Sequence, residues 1–496
     1  MNNSLKEKTL RGLSWSFIDN FIGQFISFVV GVVLARLIAP TEFGVIAYII
    51  FFVAILTTFV DCGFTTALVR KNNCTSTDYS TVFYFNLTIG VLLYLLLVFL
   101  APLAESFFEV PGFALILQVG GLSLIINALG SIQLTILTKR IDFKTKAKIT
   151  ISSNILAGII AIVLAYKGFG VWSLVWRTLL GHFFTSALLW VLNDWRPSMV
   201  FSVKSFRELF GFGYKMALSG LIDTISNNIF YPIIGKNFSP ATLGQYTRAS
   251  QFSNLFSSTL TSNIQRVTFP VLSSLQDDPE KLKSGYRKMI KGTMLVTFAC
   301  MLGLAAVAKP MILILIGEKW LPCVPYLQLM CLSSMLYPLH AMNLNVIMVK
   351  GRSDLFLKLE IIKKVLLIPL IFTGIYWGVI ALLIGDIILS LIAYLLNSYY
   401  SANLISYPTK EQIMDILPFL LVSICVSGLV WCITFLEWNS WCTVILQVGA
   451  GIGLTMWIYE MMKQPDYREV KQIALQFLGK MPGGKIITTP FNHLTR

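Results

Sequence analysis

Arg177 sits in the run LVWRTLLGH, Asp223 in SGLIDTISNN and Asp386 in LLIGDIILS, each among apolar neighbours. A charge in such a run is costly unless it faces a cavity, water or a partner of opposite sign. An arginine placed there can hold an anionic group. An aspartate can balance that arginine, or carry a proton or a sodium ion. The same arrangement also fits a structural Arg–Asp pair that holds two helices together. Asp19 lies in a further apolar run, about 9 Å from its start at 1.5 Å per residue, and Asp61 ends another, where it can simply be wet. Arg248 and Arg266 stand 18 residues apart in RASQFSNLFSSTLTSNIQRVTFP. That is about five helical turns, so both share one face about 27 Å long. Gln251, Ser258 or Thr259, and Ser262 lie on that face between them. Snorkelling to two interfaces accounts for the arginines; a water-lined wall accounts for the arginines and the Ser/Thr stripe together.

Other chemistry has little support. His182, His340 and His493 are the three histidines, far apart and outside metal-ligand spacing. The eight cysteines form no CxxC. There is no phosphate-binding glycine-rich loop, which argues against ATP hydrolysis. No metal and no cofactor is expected. Energy for any transport has to come from an ion gradient, the membrane potential or consumption of product.

The elements that must position these residues are membrane spans. The chain is 56% hydrophobic and only 13% charged, against roughly 25% charged in a soluble domain. Apolar runs of about 20 residues, the length that crosses a hydrocarbon core, recur near 13–35, 43–62, 82–103, 113–137, 150–166, 169–191 and 211–233. They continue near 248–271, 290–308, 324–348, 360–376, 378–399, 413–435 and 441–461. The expectation is an all-α polytopic membrane protein of about 14 transmembrane helices. The eighth segment is weakly apolar, and reading it as a surface helix would leave thirteen.

Charge placement favours fourteen. Arg36, Lys167, Lys236, Lys309 and Lys319 fall in the loops of one side, and Arg177, Arg248 and Arg266 within spans. The rest of the 39 basic residues fall on the opposite side, including the clusters at 139–148, 281–291 and 350–364. Basic loops face the cytoplasm, so both termini are expected there. The net charge of +15 then reports topology and not nucleic-acid binding. A repeat supports the same count. LIAPTEFG places Pro40 and Gly44 after the first span, and NFSPATLG places Pro240 and Gly244 after the seventh. Two parallel halves are a transporter feature. The expected organisation is 1–203 and 204–410 as two six-helix bundles, 411–461 as two additional transmembrane helices, and 462–496 as a cytoplasmic tail. Trp172, Trp190, Trp195, Trp320, Trp377 and Trp441 fall near span ends and are expected to anchor there.

The stretches ARLIAPTEFGVIAY at 35–48, FPVLSSLQDDPEKLKSGYRKMI at 269–290 and the long run from Gly317 to Lys364 carry a resemblance. The chain resembles the lipid-linked oligosaccharide flippases, in the polysaccharide-exporter branch of the multidrug/oligosaccharidyl-lipid/polysaccharide superfamily. It is most similar to the colanic-acid and teichuronic-acid exporter type over about residues 1–460. The resemblance implies two six-helix bundles and a further pair around a central cavity. It also implies movement of an undecaprenyl-diphosphate-linked repeat unit across the inner membrane, and no enzyme activity. The partners implied are the polyprenyl-diphosphate-linked glycan and membrane lipids, with a functional link to a glycan polymerase and glycosyltransferases.

Arg177, Arg248 and Arg266, with Ser258, Ser262 and Asp19, are the candidate cavity residues, and Asp223 and Asp386 the candidate coupling-ion sites. Related peptidoglycan-precursor flippases suggest arginines on early helices, where this chain has Asp19. A cation or drug antiporter of the same architecture would need a compact acidic site. A membrane glycan polymerase would need a large outer loop, and a scaffold would need no Arg177.

Overall fold

The computed structural model describes residues 3–436, 438–468 and 471–472, with the side chains of 3–14, 16–18, 263, 266 and 267 outside that description. All regular structure among these residues is helical. The chain forms two compact units, Met1–Thr247 and Arg248–Arg496.

The first unit holds α1 (Asn3–Leu37), α2 (Pro40–Asp61), α3 (Phe64–Arg70), α4 (Ser76–Phe108), α5 (Phe113–Lys139) and α6 (Phe143–Tyr166). It continues with α7 (Val171–Leu192), α8 (Val203–Asn228), α9 (Phe230–Asn237) and the start of α10 (Pro240–Ser274). α1 lies along α6, α4 along α5, and α7 packs on both α5 and α6. Helix starts follow local chemistry. Thr75 accepts from the Asp78 amide at 3.2 Å while Asp78 accepts from the Thr75 amide at 2.9 Å, a reciprocal cap that opens α4. Asp142 caps α6 and Ser202 caps α8 in the simpler way. Asp61 accepts from the Thr65 amide at 3.3 Å and the Thr65 hydroxyl at 2.5 Å, so it fastens α3 to the end of α2.

The second unit holds the rest of α10, then α11 (Pro279–Leu315), α12 (Cys323–Ser334), α13 (Tyr337–Val349), α14 (Ser353–Ile405), α15 (Thr409–Cys432) and α16 (Ser440–Met461). α15, α16 and α12 pack on α11, while α12 and α13 pack on α14. Its core gathers Tyr286, Phe298, Met342, Tyr394, Tyr407 and Phe419.

Large outward-facing side chains along α4, among them Leu92, Leu95, Phe99 and Leu103, are exposed and apolar. Such a face suits hydrocarbon and not water. Among the described residues ten helices are long and apolar enough to cross a membrane: α1 from Asp19, α2, α4 to α7, α11, α14, α15 with the turn after it, and α16. The chain is therefore an all-α polytopic membrane protein with about ten such helices. The gap between ten and fourteen has a physical basis. α14 contains both the eleventh and twelfth expected spans, which meet at Gly378, where φ is 92° and the helical path breaks. The tenth expected span is interrupted between Ser334 and Tyr337 and forms α12 and α13. α8 and α10 form over the seventh and eighth expected spans, but their polar residues hold them below the apolarity of the others.

Candidate functional site

Arg177 is on α7. That helix opens at Gly170, where φ is 51°, and its Val171 amide donates to Glu42 of α2 at 3.2 Å. From there the half-buried Arg177 side chain reaches α1, where one guanidinium nitrogen donates to the Ser27 carbonyl at 3.3 Å. Its partner is thus a neutral backbone oxygen and not an aspartate. Asp19 lies eight residues before Ser27 on α1, about 12 Å along the axis. One of its carboxylate oxygens is buried with no hydrogen-bond partner, and Lys146 of α6 is near enough for its charge to act on it. Asp223 on α8 is exposed. Its neighbour Thr224 meets Thr58 of α2 at 3.3 Å.

In the second unit Arg248 is 5% exposed. Its guanidinium binds the Gln251 side-chain oxygen one turn on and lies 5.6 Å from the ring centroid of Trp320. Trp320 is fully buried. The expectation that it anchors an interface is corrected: a tryptophan near a span end has that role by default, but here the turn Glu318–Trp320 folds the ring inward, to the guanidinium. The helical order of α10 separates its small polar residues into two adjacent stripes. Ser253, Ser257 and Thr261 are buried, while Asn254, Ser258 and Ser262 are exposed. Ser258 donates to the Asn254 carbonyl and Ser262 to the Thr259 carbonyl at 3.2 Å, so both hydroxyls bond back to their own helix and keep acceptor capacity outward. The Arg266 side chain lies outside the described residues, as do His493 and most of the expected tail.

Asp386 lies on the arm of α14 beyond Gly378, beside the Ser333 hydroxyl of α12. One turn later Ser390 donates to the Ser333 carbonyl at 2.9 Å and meets the His340 ring nitrogen Nε2 at 3.1 Å. Sequence spacing gave His340 no role because its hydrogen-bond partner, Ser390, is 50 residues distant. The signal that finds it is the polar series Asp386, Ser390, Tyr394, Asn397 and Ser401, recurring every three or four residues inside an apolar helix. Among the described residues no cluster of three or more His, Cys, Asp or Glu forms a metal site.

The sequence pattern of the family described as polysaccharide biosynthesis protein matches residues 33–325, more than half of the chain. The chain belongs to this family. The resemblance read from the sequence is thereby borne out.

Two relatives show the same polysaccharide context. The chain is 25% identical over 403 residues to the lipopolysaccharide biosynthesis protein WzxC of Escherichia coli (strain K12), covering 80% of this chain and 81% of the relative. It is 26% identical over 355 residues to the teichuronic acid biosynthesis protein TuaB of Bacillus subtilis (strain 168), covering 71% and 73%. Among solved structures, the inward closed conformation of the lipid II flippase MurJ superposes with a TM-score of 0.72 at 15% identity. That match covers 92% of this chain and 100% of MurJ, and it shows a shared fold. This member of the polysaccharide biosynthesis protein family is therefore a multi-pass membrane protein that shares its fold with a lipid flippase.

Proposed function

We propose that this chain is a flippase that carries an undecaprenyl-diphosphate-linked oligosaccharide repeat unit across the inner membrane, by alternating access, for surface polysaccharide assembly. The observation that carries this reading is Arg177: a guanidinium within the apolar part of α7 whose hydrogen bond goes to a backbone carbonyl. A cation bound by a neutral acceptor keeps its charge available for an anionic head group, whereas one neutralised by a carboxylate does not. Arg248, buried on Trp320, is a second cation of the path, and the outward stripe of Ser258 and Ser262 offers oxygen atoms to a sugar. Arg266 belongs to the same proposed path by its position on α10. Asp19 and Asp223 supply negative charge, with Asp223 or Asp386 as the coupling-ion site. The glycan and diphosphate travel through water-accessible protein while the polyprenyl tail stays in lipid, because an uncompensated charge in hydrocarbon is prohibitive. The relatives' names, lipopolysaccharide and teichuronic acid biosynthesis, support a glycan substrate and a functional link to a polymerase and glycosyltransferases.

The proposed topology has fourteen spans, with α8 and α10 as the less apolar ones, the interrupted α12–α13 pair as one span, and both termini cytoplasmic. In cells with this chain as the sole exporter, Arg177→Ala should stay inserted in the membrane, abolish surface glycan and leave lipid-linked repeat units inside. Normal export by inserted R177A protein overturns the substrate-contact role.

A further inference from the structure

We propose that the polar face of α14 beyond Gly378 is a hydrated proton path within the second unit, joining Asp415 at one end to Asp386 and His340, and that the proton is the ion that drives transport. This rests on the transporter reading above, whose topology places Asp415 at the cytoplasmic end.

Asp386, Ser390, Tyr394, Asn397 and Ser401 lie on one face of the helix and extend about 22 Å along it. The middle of this face is buried but not satisfied. Asn397 is fully buried, and neither its amide nitrogen nor its amide oxygen has a hydrogen-bond partner; the same holds for the Tyr394 hydroxyl, 4% exposed as a residue. Buried polar groups in folded proteins are bonded to protein or to an ordered molecule. The two atoms of Asn397 identify that molecule. A cation satisfies the oxygen and not the N–H group; an anion does the reverse. Water satisfies both, and buried waters bridge such orphaned groups.

Both ends continue in protein groups. At one end the Ser401 hydroxyl donates to the Asn343 side-chain oxygen at 2.5 Å, and the buried Tyr286 hydroxyl faces Ser401 without a hydrogen-bond partner of its own. The Tyr286 ring stands edge-on to Tyr407 at 6.1 Å, and the Tyr407 hydroxyl donates to Asp415 at 2.5 Å. Arg287 and Lys291 pair with Asp415 at that end. At the other end Ser390 joins His340 and the Ser333 carbonyl, and Asp386 lies beside Ser333.

Hydroxyls and waters each accept one proton and release another, so they pass a proton on without a net change of their own, and water bridges the steps at the Ser333 carbonyl and the Tyr286–Tyr407 ring contact, which relay none. Asp386 and His340 are the members that change charge. Protonation neutralises Asp386, whereas it creates an imidazolium on His340. That cation is opposed by Lys363, which is itself paired with Glu360. Tyr337, the other group at the His340 ring, is an edge-on aromatic and no counter-charge. Asp386 is therefore the resting site, and His340, which meets Ser390 one turn from Asp386, is a relay across water, because the Ser333 carbonyl between them only accepts.

Two measurements on the full chain test this. In nanodiscs, brief radiolysis of water should oxidise Tyr394, despite its burial, far faster than the buried Phe298, and Asn397→Leu should remove that difference. Equal protection of Tyr394 and Phe298 overturns the hydrated path whatever the protein transports. In cells with this chain as the sole exporter, an uncoupler that collapses the proton gradient should stop glycan export, and sodium removal should not. Asn397→Leu should lose export at normal membrane abundance, and Asn397→Ser, which leaves room for water, should keep it. Wild-type export by N397L, or export that follows sodium, overturns proton coupling. Absence of any glycan export by the wild-type chain defeats the flippase reading, and the proton coupling with it, while a positive labelling result still stands.

Discussion

A Cβ atom built on Gly44 falls 1.9 Å from the carbonyl oxygen of Pro240, and one built on Gly244 falls 1.9 Å from the carbonyl oxygen of Pro40. The two copies of the Pro-x-x-x-Gly pattern, 200 residues apart in sequence, thus meet each other within the first unit. The first turns of α2 and α10 cross so closely that each glycine receives the other segment's proline carbonyl. Only an absent side chain permits this, and the obstructing atoms are backbone, which no rotamer change can move.

Gly44→Ala and Gly244→Ala should each destabilise the protein by about 1–3 kcal/mol, the usual cost of overpacking. The two losses should not add. Once one alanine has forced the turns apart, the second meets less resistance, because neighbours that share one strain couple. Thermal unfolding of the purified single and double variants reads this as a double-variant shift smaller than the two single shifts together. Gly303→Ala is the control, since nothing lies within 4 Å of its added Cβ. Additive losses contradict a shared crossing.

Trp320 and Arg248 make a second packed pair. Removal of the fully buried indole leaves a cavity and takes the aromatic face from a buried cation. Trp320→Ala should cost about 3–5 kcal/mol, the range for large-to-small changes at aromatic core positions. Trp320→Phe should cost clearly less because a ring remains. Comparable losses in thermal unfolding for both variants contradict a stacking role.

The two polar stripes of α10 make different predictions about water. Single cysteines at Ser258 and Ser262 should react with a water-soluble maleimide, and cysteines at Ser257 and Thr261 should not. Equal reactivity across the four positions removes the argument that one stripe is a wetted wall. Complete protection of 258 and 262 in every condition also opposes the proposed path.

Most of the fold was legible because membrane spans announce themselves as long apolar runs, and the expected break at residues 376–378 coincides with the strained Gly378. The short helices were not. α3 and α9 have 7 and 8 residues, too few to show a helical period, and α3 depends on Asp61, a residue the sequence alone leaves merely wet. The Pro-x-x-x-Gly repeat was visible, but a repeat does not say that its copies touch. The Asp386 neighbourhood was half visible: a single segment shows its own stripe, whereas Ser333 and His340 arrive from helices whose distance in sequence hides the contact. Trp320 failed for the opposite reason, since its position near a span end matches a common rule that burial overrides.

Glu109 and Lys236 give a prediction in pH. Glu109 closes α4 and accepts from Lys236 of α9 at 2.7 Å, while the Lys236 ammonium also lies 5.1 Å from the Phe107 ring centroid. The hydrogen bond from Lys236, then its charge, hold the Glu109 carboxyl below the ordinary carboxylate range. A carboxyl held low when folded stabilises the fold above its unfolded pKa, and the gain is lost as pH falls through the folded value. The difference in unfolding temperature between wild type and Glu109→Gln should therefore be present near neutral pH and fade as pH drops below about 4.3, the ordinary value for glutamate. The pair is exposed, so high salt should also shrink the difference. A difference that persists unchanged in acid contradicts the ion pair as its source.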